Sequence, residues 1–354
     1  MPRVARAVKR LPDLSGVRIA FSMHLDPKMI PLVEGVMRQG AEVFLTTCNR
    51  DTVRDEVVAH LSGQGAEAHA ARGMSEREYT AAAHAALEWA PTHLCEMGGE
   101  LSAAWSDGPH RPEVRGSLEA TGSGISRIGA LDLPYPVFNW DDLPVKEGLH
   151  NRHMVGLTAW HTFFARTGLT LHEKTVLVVG YGEVGAGVAD SARAYGAHVL
   201  VAELDPGRRL RAAYAGWEVV DLAEAMPRAD VVATATGARG VISGERAEEL
   251  PDGAFLLNVG HRPEEIDVAY LRAREHREVI PFVEEVMLDS GRRIYLLAGG
   301  SMFNLVAGAG DSLNAFDVTL AVLVEAIGFL LHEGGGFPAG LHVLPEFVWR
   351  SALS

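Results

Sequence analysis

Val176-Leu177-Val178-Val179-Gly180-Tyr181-Gly182-Glu183-Val184-Gly185 is the stretch that decides the fold. Its first four residues read as a buried strand. A G-x-G-x-x-G loop follows, and a helical segment runs on to Tyr195. The glycine pattern alone is weak; a strand before it and a helix after it make it specific. Gly180 permits the tight turn, Gly182 lets the backbone approach a pyrophosphate, and Gly185 lets the helix pack close to the strand. Glu183 and Val184 open the helix, whose N-terminus offers N–H groups and a positive dipole end to phosphates. The next strand ends Val201-Ala202-Glu203. Glu203 stands about 20 residues past the loop, where an acid binds ribose hydroxyls. A carboxylate there repels a 2′-phosphate, so the expected cofactor is NAD rather than NADP.

Outward from this unit the β-α-β rhythm continues in both directions. Downstream, Val231–Ala235, Ala254–Asn258 and Ile294–Leu297 read as further strands. Upstream, Val17–Phe21, Ala41–Leu45 and His93–Cys95 alternate with helical spacing over Lys28–Gln39 and Ala81–Ala90. Gly98-Gly99 marks a strand end, where open parallel sheets seat their ligands. The pattern predicts an α/β protein of two domains with parallel sheets, the second a Rossmann NAD-binding domain over 153–311. The first takes in 1–152 and regains the chain over 312–354, through an apolar helix at Leu313–Leu331. The Gly334-Gly335-Gly336 run reads as a loop.

A length of 354 residues suits two domains, each with its own core. The net charge of −14 comes without a basic block, which argues against nucleic acid and acidic membrane surfaces as partners. The two cysteines, Cys48 and Cys95, lack metal-ligand spacing and read as reduced thiols; no metal is expected. The basic start, Met1 to Pro12, is followed by no apolar signal core, and no uninterrupted apolar run reaches the ~18 residues of a span. A cytoplasmic location is expected.

More specific patterns then accumulate. Thr234-Ala235-Thr236-Gly237, Asn258-Val259-Gly260-His261, Glu265-Ile266-Asp267 and Gly291-Arg292-Arg293-Ile294 through Asn304 occur in this order. Before them lie His24, Thr47-Cys48-Asn49, Gly116-Ser117-Leu118-Glu119-Ala120-Thr121, Lys146 and Asn151; after them comes Phe337-Pro338-Ala339-Gly340-Leu341-His342-Val343-Leu344-Pro345. Together these resemble the S-adenosylhomocysteine hydrolase family, over nearly the whole chain. The resemblance implies tightly held NAD and a small nucleoside substrate whose 3′-hydroxyl is transiently oxidised. It assigns Lys146 to the 3′-hydroxyl, His24 to the C5′ leaving group and His261 to the cofactor and ribose. It assigns Thr121, Asn151, Thr236, Val259, Gly260 and Asn304 to the cofactor site. It also implies a homo-oligomer, and a C-terminal extension reaching a neighbour's NAD; the sequence stops at Ser354 without one, so weaker retention and a different assembly are expected.

The departures from the family cluster in the substrate pocket. Met97 replaces the acid beside the leaving group, although Glu96 is adjacent. Ala120 replaces the glutamate that holds the ribose hydroxyls. His150 stands where an aspartate is expected four residues past Lys146, and Asp311 where a histidine is expected. Asp26 and Lys28 replace a threonine and a glutamate on the base-binding helix, and Ala186 replaces a lysine in the nucleotide loop. Drift would damage the cofactor site too, so a changed substrate is the simpler account. His150 is a candidate catalytic group; Asp26, Lys28, Glu96, Met97, Ala120 and Asp311 are candidate substrate contacts. The favoured activity is a lyase that dehydrates an adenine-type nucleoside, as an exocyclic alkene of the angustmycin type requires. A genuine S-adenosylhomocysteine hydrolase is the alternative, with Glu96 and His150 replacing lost groups. A nucleoside dehydrogenase or epimerase, and a non-catalytic NAD-binding regulator, also remain open.

Overall fold

The structure is a computed structural model that describes residues 1–261 and 263–354. The chain forms two compact units, Met1–Lys146 with Leu313–Ser354, and Glu147–Ser312.

In the first unit the strands β1 (Arg18–Ser22), β2 (Glu42–Thr46), β3 (Glu67–Ala68), β4 (His93–Glu96), β5 (Gly116–Glu119) and β6 (Pro136–Asn139) join a seventh, Gly340–Val343. Their order is Gly340–Val343, β6, β5, β4, β1, β2, β3, and every pair is parallel. β4, β5 and β6 are buried along their whole length, as parallel strands commonly are, although His93, Glu96, Ser117, Glu119 and Asn139 break any apolar run within them. Parallel pairing collects the carboxyl ends of the strands on one edge of the sheet. His24, Met97, Ala120 and Asp141 follow β1, β4, β5 and β6 at that edge.

Leu313–His332 is long and apolar enough to cross a membrane, but 67% of its most apolar window is buried inside the protein. Leu320, Val324, Ile327 and Leu330 belong to the core of this unit. The helix Pro2–Arg10 lies against it. The N–H groups that open this short helix have no partner within it, and a buried carboxylate supplies one: Arg3 and Val4 donate to Asp317 at 3.1 and 3.0 Å.

The second unit holds β7 (Thr175–Val179), β8 (His198–Ala202), β9 (Glu218–Val219), β10 (Val231–Thr234), β11 (Ala254–Asn258), β12 (His276–Ile280), β13 (Val283–Met287) and β14 (Arg293–Leu297). Their order is β12, β13, β14, β11, β10, β7, β8, β9. From β14 to β9 the pairs are parallel; β13 joins β14, and β12 joins β13, antiparallel. The chain leaves β7 toward β8 and β9, then returns to its other side at β10. That reversal is a topological switch point, where such sheets bind ligands.

The strands read from the sequence, β1, β2, β4, β7, β8, β10, β11 and β14, and the long helix lie where the pattern put them to within a residue or two, whereas β3, β5, β6, β9 and Gly340–Val343 were not read as strands. The helix expected over Ala81–Ala90 starts earlier, at Glu76, because Ser75 and Glu78 form a capping box. The glycine run is a short 3-10 turn, Gly334–Gly336. The antiparallel pair β12 and β13 was not anticipated; every residue of β12 is exposed, so no apolar pattern announces it.

Asp317→Ala leaves two backbone donors of the N-terminal helix without their acceptor. The expected loss is ~1–3 kcal/mol of stability, read as a lower denaturation midpoint with an unchanged denaturant slope.

Candidate functional site

The nucleotide loop joins β7 to the helix Glu183–Ala194, with Gly182 at its N-cap. Gly180 has φ +95°, and a Cβ there would meet Ala235 O at 2.8 Å. A Cβ on Gly185 would lie 1.9 Å from Gly180 O, so the helix and the turn approach as closely as two backbones can. Gly182 faces open space: a Cβ there would meet nothing within 4 Å. Gly182, at the N-cap, has no side chain to bond the N–H groups that open the helix. The carboxylate of Glu183 is drawn aside by Arg211 at 2.7 Å and Arg152 at 3.7 Å, which leaves the phosphate cradle to backbone. Ala186 packs in the core at 2% exposure.

Glu203 follows β8 directly. Its oxygens accept from Tyr181 N at 2.7 Å, Leu204 N at 2.7 Å and Asp205 N at 2.9 Å. Three donors on two carboxylate oxygens fix the group beside the loop and leave acceptor capacity for a ribose hydroxyl.

The next two strand ends are tied by Glu265 and Asn258. Glu265, fully buried, accepts from Thr236 N and Oγ1 at 2.9 and 2.7 Å and from Gly237 N at 2.7 Å. Asn258 accepts from Gly260 N at 2.7 Å and donates to Gly300 O at 3.1 Å. These bonds set the turn that carries Val259, Gly260 and the half-buried His261. Both residues lie in motifs visible in the sequence, but their anchoring role is visible only in the fold. Asn304, 1% exposed, donates to Asp311 at 3.5 Å and has a buried Oδ1 with no donor among the described residues. An orphaned acceptor in a dry site fits an amide N–H of a bound group such as a nicotinamide carboxamide.

His150 and Asp311, separated by 161 residues in the chain, meet at 2.7 Å, both buried. Thr158 donates to the other Asp311 oxygen at 2.7 Å. His150 and Asn151 lie on the π-type turn Lys146–Met154, which begins with Lys146. The Lys146 ammonium forms an ion pair with Asp141. Sequence reasoning named neither Asp141 nor Thr158.

In the first unit, His24 Nδ1 lies 2.8 Å from Thr52 Oγ1, whose proton goes to Asn49 O at 2.8 Å. The threonine oxygen must therefore accept, so Nδ1 of His24 carries the hydrogen and Nε2 is the basic nitrogen. Asp26 accepts from Lys28 N and from Lys28 Nζ, each at 2.8 Å, in a buried turn. Lys28 Nζ also lies 5.1 Å from the centre of the Phe316 ring. Glu96 is sealed in: Leu101 N, Ser102 N, Ser102 Oγ and Ser117 Oγ all donate to it, and burial pushes its carboxyl up. Met97 is half-buried, and Ala120 is 2% exposed. Thr121 caps the helix Gly122–Ile128 by accepting from Gly124 N at 3.0 Å. Among the described residues no cluster of His, Cys, Asp or Glu could hold a metal ion.

Fold and loop together define an NAD-binding α/β protein with a Rossmann unit. Residues 3–122 match the S-adenosyl-L-homocysteine hydrolase family, and residues 162–310 match its NAD-binding domain. The chain is 34% identical to S-inosyl-L-homocysteine hydrolase of Methanopyrus kandleri over 95% of this chain and 81% of that one. It is 34% identical to adenosylhomocysteinase of Thermococcus kodakarensis over 94% and 81% of the two chains. The chain belongs to the S-adenosyl-L-homocysteine hydrolase family, and its cofactor is NAD. A putative D-3-phosphoglycerate dehydrogenase of Ralstonia solanacearum shares the fold, with a TM-score of 0.53 at 14% identity over 96% of this chain and 99% of that one.

Glu203→Ala removes both the hydroxyl acceptor and the charge that rejects a 2′-phosphate. NAD affinity should fall by roughly 10–100-fold, as for a lost hydrogen bond to a charged group, while NADP affinity rises. Calorimetry with both nucleotides checks this; a parallel loss of both would assign Glu203 to loop stability alone.

Burial also shapes the pH response. Burial, opposed by Arg127, pushes Glu100 up to about 7; burial and the charge of Glu96 push Glu119 up to about 8. Each raised acid contributes stability that is complete below its unfolded value near 4.5 and is lost as pH rises through the folded value. His93 acts in the opposite sense: burial lowers it to about 4 from 6.5, so its contribution grows between those limits and is constant above them. Above pH ~6.5 only the decline remains. The melting temperature should therefore fall from pH 6.5 to 8, and less steeply in Glu100→Gln. A flat or rising profile in the wild type would contradict this account.

Proposed function

We propose that this chain cleaves the bond between C5′ of an adenine-type nucleoside and its substituent through a transient 3′-ketone, and that the substituent is a homocysteine thioether. The observation that carries this reading is the 34% identity, along nearly the whole chain, to proteins named as hydrolases of such thioethers. NAD, when bound, would supply a reversible hydride acceptor for C3′. A ketone at C3′ makes the C4′ proton acidic, which opens the way to loss of the C5′ group. His24, with its hydrogen fixed on Nδ1 by Thr52, exchanges a proton with that group through Nε2. Lys146 donates to the 3′-oxygen. Asp26 and Lys28 offer an acceptor and a donor side by side, with Phe316 beneath, to a nucleobase. The family resemblance assigns His261, Asn151 and Thr121 to the cofactor and ribose.

A second reading, dehydration of a nucleoside to an exocyclic alkene, is favoured by Met97 and Ala120. With an apolar thioether at the position of the family's acid, and Glu96 enclosed by four donors, addition of water loses its proton carrier. Ala120 leaves space for an extra substituent on the sugar.

The two readings separate in heavy-oxygen water. Supplied with S-adenosylhomocysteine or S-inosylhomocysteine, the enzyme should release homocysteine and a nucleoside carrying one solvent oxygen at C5′, by mass spectrometry. An alkene without solvent oxygen, formed from a hexulose adenine nucleoside and accompanied by no thioether cleavage, would replace the hydrolase with the dehydratase. Lasting stoichiometric NADH would remove both. His24→Ala should still reduce NAD but slow C5′ cleavage by roughly 10²–10⁴-fold.

A further inference from the structure

We propose that Arg152, together with Arg211, sets the affinity for the diphosphate of NAD by neutralising Glu183 at the nucleotide loop. Arg152 is a positioning residue in this account: it acts on the cofactor through the carboxylate it holds. The inference concerns how the chain keeps its cofactor, and it stands apart from the question of which bond the enzyme cleaves.

The placement begins with backbone. The helix Glu183–Ala194 approaches the chain at Arg152 so closely that a Cβ on Gly187 would lie 1.9 Å from Arg152 O. The helix Val155–Thr167 comes nearly as close, since a Cβ on Gly156 would lie 2.5 Å from Gly187 O. Glu183, Gly187 and Asp190 are spaced by four and three residues, so they share one face of their helix. The Arg152 side chain lies along that face. Its Nε is 3.7 Å from Glu183 Oε2, and its Nη2 forms an ion pair with Asp190. Arg211, on the helix Pro206–Tyr214, holds the other Glu183 oxygen at 2.7 Å and donates to Tyr181 O at 2.9 Å.

Charge gives this arrangement its use. Glu183 is the first residue of the helix, where the free N–H groups and the loop backbone receive a diphosphate. An acid at that position suits the helix dipole, yet a bare carboxylate there repels an anionic ligand. The two arginines remove the conflict. Arg193 stands 3.7 Å from Asp190, so three guanidinium groups face the carboxylates of Glu183 and Asp190, and the local balance is positive. Side-chain exposure is 22% for Arg152 and 49% for Arg211. Arg152 is therefore the less screened of the two partners of Glu183.

The same contact accounts for one departure from the family. The resemblance puts a lysine at position 186, three residues after Glu183, where side chains on a helix meet. Ala186 packs in the core here and offers no charge. Arg152 brings a cation to the same carboxylate from outside the helix and leaves the core position apolar.

A double-mutant cycle read by calorimetry with NAD tests the proposal. Arg152→Gln should weaken NAD binding by roughly 5–30-fold, the effect of one charge at a partly buried helix end, and Arg152→Lys should keep most of the affinity. In a Glu183→Gln background, Arg152→Gln should change the affinity little. Asp190→Asn should leave the penalty of Arg152→Gln in place, and that penalty should shrink at high salt. If Arg152→Gln melts before binding can be read, Arg211→Gln takes its place, with a smaller loss that Glu183→Gln also abolishes. An undiminished loss in the Glu183→Gln background would mean that Arg152 acts on the cofactor or on the loop by another route, and would overturn the proposal. Unchanged NAD affinity in Arg152→Gln, or recovery through Asp190→Asn, would overturn it as well.

Discussion

A buried carboxylate that must be satisfied by backbone donors is the constraint on which each unit's site depends. Removing a carboxyl group from water is costly unless hydrogen-bond partners replace the water. Glu119 in the first unit and Glu265 in the second are both fully buried. Glu119 collects Gly98 N, Gly99 N, Ala120 N, Thr121 N and Thr121 Oγ1. Glu265 collects Thr236 N, Thr236 Oγ1 and Gly237 N. In both cases the donors come from loops at the carboxyl ends of neighbouring strands. The acid can be buried only if those loops wrap around it, so its burial fixes their shape. Small residues are then obligatory close by: a Cβ on Gly124 would fall 2.3 Å from Glu119, and one on Gly260 1.8 Å from Glu265.

On this fixed frame the departures from the family divide into two kinds. Asp26 with Lys28, and His150 with Asp311, are paired changes that leave a buried charge matched. Met97 and Ala120 are unpaired, and each puts an apolar group where the family has an acid. A lone buried charge is costly, and each pair removes that cost by matching its charge in place, so both pairs are tolerated in the interior on physical grounds. Glu96 does not restore the missing acid, because its four donors hold it against Leu101, Ser102 and Ser117.

What the sequence made legible follows from local physics. Buried parallel strands are continuous apolar runs, so β7, β10 and β11 could be read residue by residue, as could the loop after β7 with its three glycines. β12 was hidden because its residues, His276 to Ile280, are all exposed and its pairing is antiparallel at a sheet edge. Partners that complete the site were hidden for another reason. Thr52, Asp141 and Thr158 carry no special spacing, and Glu265 shows only as part of a motif; they matter because the fold brings them to His24, Lys146, Asp311 and Thr236. The resemblance could name the groups at positions 150 and 311 but not their contact, since nothing local links residues 161 apart.

The hydrogen positions on the two histidines give the last step. Thr52 puts the hydrogen of His24 on Nδ1, because its own proton is committed to Asn49; Asp311 puts that of His150 on Nε2, because a carboxylate has none to give. In each unit, then, a neighbour with a fixed hydrogen-bonding sense decides which ring nitrogen carries the hydrogen, Nδ1 in His24 and Nε2 in His150. The fold sets each tautomer through a partner that no local sequence pattern announces, 28 residues away along the chain in one case and 161 in the other.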